Sequence, residues 1–362
     1  MNGRRVGMLL GAALVIILLA LWVSSRKVQI ADTAAGSPVL KALKAQLNDV
    51  TEVRVAKGDG SRTTLRKQPT GWIVGERDYP ADTTKVRKLL IDLSSLNSVE
   101  AKTSDPEKYS QLGVEDVNTP TATGTRIEAV TPQQVHAIIV GKSSGAKSVY
   151  VRAAESKQSV LATPMVTADA DPKHWLDTTL LDIPEARIKE IEVAPQGSPG
   201  YKVTREKKEQ TDFTVAPLPK GRELSSPAVA NGHGSALVLL ALTDVKKTDD
   251  ATPITQSPHV TFRTFDGLEL QMTGRFDGEH RLISIVPVST AKETADEAQK
   301  LAARTKGWWF EIPNYKYDAL FRPLEELLKP VEKKADAKAP AAAGKKIGAK
   351  PAEPPLPSSP AN

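Results

Sequence analysis

Apolar and polar residues alternate through Val50-Thr-Glu-Val-Arg-Val-Ala56, and the same alternation returns 138 residues later in Ile188-Lys-Glu-Ile-Glu-Val-Ala194. A period of two predicts a half-buried strand at each place. The parallel continues in order. Thr63-Thr-Leu-Arg66 and Gly71-Trp-Ile-Val74 in the first half answer to Tyr201-Lys-Val-Thr204 and Asp212-Phe-Thr-Val215 in the second. Further strand pairs recur at 125–130 with 135–141 and at 260–265 with 268–274, then at 148–152 with 159–162 and at 282–286 with 308–312. The fold expected is α+β, a tandem duplication of a β-rich unit with one main helix each, over 48–185 and 186–328.

The first helix is expected after Tyr79-Pro-Ala-Asp82. Asp82 is placed to cap it, and Val86, Leu89, Leu90, Leu93 and Leu96 share one face. Its counterpart is expected through Leu237, Leu239, Leu240 and Leu242, although Asn231-Gly-His-Gly234 ahead of it is poor helix sequence. The second unit also carries Thr290 to Lys306, rich in Ala, Glu and Lys, with Lys292 and Asp296 four apart, which predicts an inserted solvated helix.

Ahead of the first unit, Val6 to Val23 hold no charge. As a helix they would span about 27 Å, close to one bilayer core. Arg4 and Arg5 precede this stretch, Trp22 sits at its far boundary, and Arg26-Lys27 follow. A cleaved signal peptide is the competing reading, but the nearest small-residue pair, Ala34-Ala35, lies about ten residues too far on. Residues 1–27 are therefore expected to be a short cytoplasmic tail and a transmembrane anchor, and 28–47 a linker with a short helix. A literal count of flanking lysines and arginines would keep the body in the cytoplasm. The signal-anchor layout of a short basic tail, an apolar span and a long domain instead predicts a periplasmic body on a single-pass inner-membrane protein.

Composition changes the picture at the two ends. The chain has 362 residues, a net charge of +6 and no cysteine, which excludes disulfides, thiolate metal sites and cysteine nucleophiles. Residues 1–27 and the Lys/Ala/Pro-rich stretch 329–362 each carry +4, so the body between them is near neutral at −2. The basic balance thus gives no motive for nucleic-acid binding and belongs to membrane topology and to a tail expected to be disordered.

Several motifs resemble a known family. Leu43-Lys-Ala-Gln-Leu-Asn-Asp-Val50, Gly71-Trp-Ile-Val74, Tyr79-Pro-Ala-Asp82, Tyr109-Ser-Gln-Leu-Gly-Val114, Val140-Gly-Lys142 and Trp175-Leu-Asp177, behind an anchor, are similar to the bacterial domain of unknown function 4340 over about residues 40 to 320. The resemblance implies an envelope protein associated with ABC-transporter components and gliding-type auxiliary proteins. It assigns no catalytic residue.

Candidate chemistry is sparse. Gly141-Lys-Ser-Ser-Gly145 matches a nucleophile elbow in letters, but the strand expected right after it makes a hairpin turn the better reading of Ser143. The histidines at 136, 174, 233, 259 and 280 show no metal-ligand spacing. Glu76, Asp78 and Asp82 cluster at the start of the first helix, where capping and surface charge account for them. His233, between two glycines, reads as a solvated loop residue. Trp308-Trp309 on a strand should face opposite sides, one ring buried and the other either an interface anchor or covered by the helix expected over Thr290 to Lys306. Trp308, Trp309 and His233 are the binding candidates. No metal or cofactor is expected. The function expected is a non-enzymatic interaction or scaffold accessory of an ABC-type transport system with an envelope protein as partner. The alternative is a periplasmic module binding an envelope glycan or lipid between the two copies, and the remote alternative a serine hydrolase using Ser143.

Overall fold

The computed structural model describes residues 35–248, 257–276 and 278–330. The span predicted at 6–23 and the tail from 331 onward lie outside these residues. Among the described residues no helix is long and apolar enough to cross a membrane.

The chain is α+β, mostly sheet with few helices. The first half holds β1 Glu52–Lys57, β2 Arg62–Gln68, β3 Gly71–Val74, β4 Tyr79–Pro80, α1 Thr83–Ser94, β5 Asn97–Ala101, α2 Tyr109–Leu112, β6 Thr125–Val130, β7 Val135–Ser144, β8 Ser148–Ala153, β9 Ser159–Thr163 and β10 Thr179–Leu181. The second holds β11 Ile188–Ala194, β12 Tyr201–Thr204, β13 Thr214–Ala216, α3 Asn231–Gly234, β14 Leu240–Ala241, β15 Asp244–Lys247, β16 His259–Thr264, β17 Leu268–Phe276, β18 Arg281–Ser289, α4 Ala295–Thr305, β19 Trp308–Glu311 and α5 Asn314–Phe321.

One antiparallel sheet runs β4-β3-β2-β1-β6-β7-β8-β9-β5 and a second runs β13-β12-β11-β16-β17-β18-β19-β15. Apart from β4, the second order is the first with every strand replaced by its later counterpart. Alternation sets the faces: Val53 and Val55 are fully buried, while Arg54 between them points outward to Glu128 across the β1–β6 pair. In the second sheet Ile191 and Val193 turn inward and Glu192 turns outward to Arg263. The inward side chains of both sheets join one continuous apolar cluster.

In the first half α1 closes the inner face with Val86, Leu89, Leu90 and Leu93, and the Asp82 carboxylate accepts hydrogen bonds from Thr84 N and Lys85 N at its start. The helix predicted through Leu237 to Leu242 does not form. A single α-turn, Asn231–Gly234, is followed by a 3-10 turn over Ser235–Leu237. Leu239 then takes a left-handed φ of 47° and is 73 % exposed, and β14 leaves to pair with β10. Two glycines in one turn cost helix stability, and the backbone hydrogen bonds with β10 replace those a helix would have made. The inner face is closed instead by α5, which follows the last strand and buries Tyr317, Leu320 and Phe321. The segment expected as a solvated helix does form one, with only Ala298 and Thr305 buried, and it is docked along that side. Helix α4 buries Ala298 and rests Leu301 on the core, and Arg187 grips its Glu297 with two hydrogen bonds of 3.0 and 2.9 Å.

The outer face of the first sheet is partly covered by α2 and the chain after it. Arg152, buried, anchors this cover through Val114 O at 2.9 Å and Asp116 at 2.6 Å, with its guanidinium 4.7 Å from the centre of the Tyr109 ring. The cover approaches so closely that a Cβ on Gly141 would collide with the carbonyl oxygens of Leu112 and Gly113. Gly141→Ala should therefore lower the unfolding free energy by about 2 kcal/mol, the cost of overpacking at a backbone contact, measurable by urea titration.

Candidate functional site

Trp308 and Trp309 do face opposite sides of β19. Trp309 is buried, with Arg275 over its ring at 6.0 Å. Trp308 is half-buried and meets the edge of Tyr79 at 5.2 Å, while the Lys247 ammonium stands 5.8 Å above it. Its cover comes from the first sheet, since Tyr79 belongs to β4. Neither ring stands free as an interface anchor.

Tyr79 marks the junction of the two sheets. It also contacts Phe310, and its buried hydroxyl has no hydrogen-bond partner of good geometry. Burial, outweighing the nearby Arg304 guanidinium, pushes that phenol up. Beside it Arg77 Nε and Nη2 donate to the two carboxylate oxygens of Asp244 at 2.7 and 3.0 Å, and Lys173 Nζ lies 3.5 Å from the same group. Asp244 is 5 % exposed. Lys247 pairs with Asp78 at 2.6 Å and Arg304 with Asp177 at 3.1 Å. Leu242 N donates to Thr178 O and Ile183 N to Leu237 O, which adds main-chain bonds across the same boundary. A cleft of about 510 Å³ between residues 75–78 and 244–247 is lined by these paired charges, with no apolar floor beyond Val245.

His233 is not a solvated loop residue. It is 1 % exposed and its Nε2 lies 2.9 Å from the Tyr201 hydroxyl, which itself donates to Arg322 O at 2.7 Å. Because that hydroxyl proton is committed, Nε2 carries the ring proton and donates to the Tyr201 oxygen. Among the described residues Nδ1 has no hydrogen-bond partner. Burial, then the Arg322 charge, push His233 down to about 4. The three candidate residues thus fall into three separate environments: the outer face of the second sheet, the junction and a buried polar cluster.

A second cavity, about 520 Å³, runs beside α1. Lys85, Lys88, Leu89 and Asp92 recur at helical spacing on one wall, Met165 to Asp169 form the other, and His174 and Trp175 close one end. Lys85 Nζ donates to His174 O at 2.9 Å, Lys88 pairs with Asp92, and His174 Nδ1 lies 2.6 Å from Asp169. Trp175 is fixed by its Nε1 donating to Asp169 O at 2.7 Å. The Trp175-Leu-Asp177 motif pointed to this place, but its lining lysines had no signal of their own.

Ser143 lies exposed in β7 opposite Val149, just before the turn at Gly145, and among the described residues no histidine or carboxylate hydrogen-bonds to it. Glu76 accepts from Thr64 N, Asp78 pairs with Lys247 and Asp82 caps α1, so the three carboxylates at the start of the helix have separate structural tasks. Among the described residues no three His, Asp or Glu side chains are grouped to hold a metal ion.

No curated protein and no solved structure matches the chain. One family does, over residues 72–258, a stretch that runs from β3 through the junction into the second sheet and takes in the Tyr79-Pro-Ala-Asp82, Tyr109-to-Val114 and Trp175-Leu-Asp177 motifs. Since the match covers more than half of its length, the chain belongs to the family described as "Domain of unknown function (DUF4340)".

Proposed function

We propose that the protein is a membrane-anchored accessory of an envelope transport system of the ABC type, acting as a non-enzymatic scaffold. In this reading 6–23 anchor it in the inner membrane and the body, a tandem duplicate of one unit, stands in the periplasm. The observation that carries it is the junction. A module that closes on a ligand between two copies needs a boundary able to open, with an apolar cleft to receive the ligand. Here the boundary is filled by Tyr79, Trp308 and Phe310 and tied by Arg77, Lys173 and Asp244. Two sheets held at a fixed spacing suit a platform on which other proteins assemble.

The full chain purified in mild detergent is expected to bring transporter subunits with it. Recovery of the protein alone, under conditions that keep known transporter complexes intact, would count against the reading. A topology reporter fused after Asn362 should be active only outside the cytoplasm, and cytoplasmic activity would remove the periplasmic placement.

A further inference from the structure

We propose that the groove beside α1 binds an extended peptide segment of a partner protein by strand addition to Met165–Ala168, with an acidic side chain of that peptide held by Lys85 and Lys88. The inference rests on the interaction reading above and names the surface and chemistry it would use.

Two independent features point to a peptide. The first is the backbone of the wall. From Met165 to Ala168 the chain runs without turn or bend, and among the described residues none of its N–H or C=O groups makes a hydrogen bond. Val166 is buried in the core and holds the segment in place, while Met165 and Thr167 are exposed. Alternate residues of an extended segment turn their N–H and C=O to the same edge, so along about 13 Å two of these four residues can pair with one incoming strand. The second feature is the opposite wall. Lys85, Lys88, Leu89 and Asp92 extend along about 10 Å of helix, matching the strand in length.

The chemistry of the lining sets the sequence that fits. Leu89, Met165, Ala168 and Trp175 offer an apolar surface between the walls, which takes alternate side chains of a strand. The side chains of Lys85 and Lys88 are 50 % and 74 % exposed, so both ammoniums can reach an acidic group in the groove. Asp92, paired with Lys88, and the Asp169 carboxylate, hydrogen-bonded to the His174 ring, put negative charge in the lining and keep the groove from being a general anion trap. A free phosphate or fatty acid would use the lysines and leave the peptide groups of Met165–Ala168 unpaired.

The test pans phage-displayed random octapeptides against the full chain in detergent, then measures synthetic peptides by fluorescence anisotropy. Enriched sequences should share apolar residues at alternate positions and one acid. Lys85→Glu and Lys88→Glu, both at exposed positions, should each weaken the best peptide by about tenfold while circular dichroism shows the fold retained. Methylating single backbone nitrogens of the peptide should weaken binding at every second position, about tenfold at each, since each removes one strand hydrogen bond. Any of these results would overturn the proposal: no enriched sequence, enrichment indifferent to both lysine variants, a flat methylation scan, or stabilisation by phospholipid vesicles alone. Transporter subunits that co-purify equally with wild type and with Lys88→Glu would leave the scaffold reading standing and sink the groove. Peptide binding with no transporter recovered would support the groove and sink the transport reading.

Discussion

Asp244→Ala is expected to lower the unfolding free energy by about 3 kcal/mol, among the largest effects of any single substitution in this chain. The carboxylate is buried and takes both forks of Arg77, whose side chain is itself mostly buried, with Lys173 a second cation in reach. Removing it leaves the mostly buried Arg77 guanidinium without its partner, and Val245 N loses its acceptor as well. The loss should shrink sharply when Arg77→Met is made in the same chain, because the stranded guanidinium is then gone. Urea titration followed by tryptophan fluorescence reports directly, since Trp308 lies at the same boundary. An Asp244→Ala effect under about 1 kcal/mol would show the pair to be a solvated surface contact instead. The pH dependence has a definite sign. Burial pushes the Asp244 carboxyl up, but the Arg77 hydrogen bond, the Val245 N–H and the two positive charges outweigh it and hold it below the usual 3.8. Its contribution is therefore complete above about pH 4 and is lost only as the pH falls through the lower folded value.

What the sequence made legible and what it hid follow from the range of each interaction. Strands β1 and β11 could be read because their alternation is local, and the two sheets repeat one strand order because the same signals recur in the same sequence. The expected second helix failed on information that was also local: Gly232 and Gly234 weighed against it, but the leucines at 237, 239, 240 and 242 suit a helix and a strand-bound segment equally well. Which of them wins is decided by β10, a partner about sixty residues away that no periodicity reveals. Trp308 could be assigned a face but not a neighbour, because Tyr79 precedes it by most of the chain. The Arg77–Asp244 pair had no signal at all, since two ordinary charges become a junction only once both sheets exist. The groove was half legible, through Trp175 and the face of α1, while its other wall is an irregular segment without a pattern.

His233 shows the same limit most sharply, because the glycines that made it look like a loop residue are what bury it. With no side chain at 234, the Phe213 ring and Glu185 close over the turn, where any Cβ would clash with both. The histidine is then sealed beneath Tyr201, neutral, with Nδ1 unpaired. Unfolded, its imidazole takes a proton near pH 6.5. Folded, burial and the Arg322 charge delay this to about 4. Between these values the unfolded chain binds more protons, so stability is complete above pH 6.5, falls as the pH drops through that window, and loses about 3 kcal/mol by its lower edge. Protonation would turn Nδ1 into a donor, but at the cost of a desolvated charge beside Arg322. His233→Asn should remove this slope while lowering stability at neutral pH, whereas Asp244→Ala should leave it in place. Urea midpoints of wild type and both variants, taken at intervals from pH 7 to pH 4, separate the two. If the wild type and His233→Asn declined in parallel across that range, the buried imidazole would not be the group that titrates, and Asp244, whose contribution is lost only below about pH 4, could not account for the decline either.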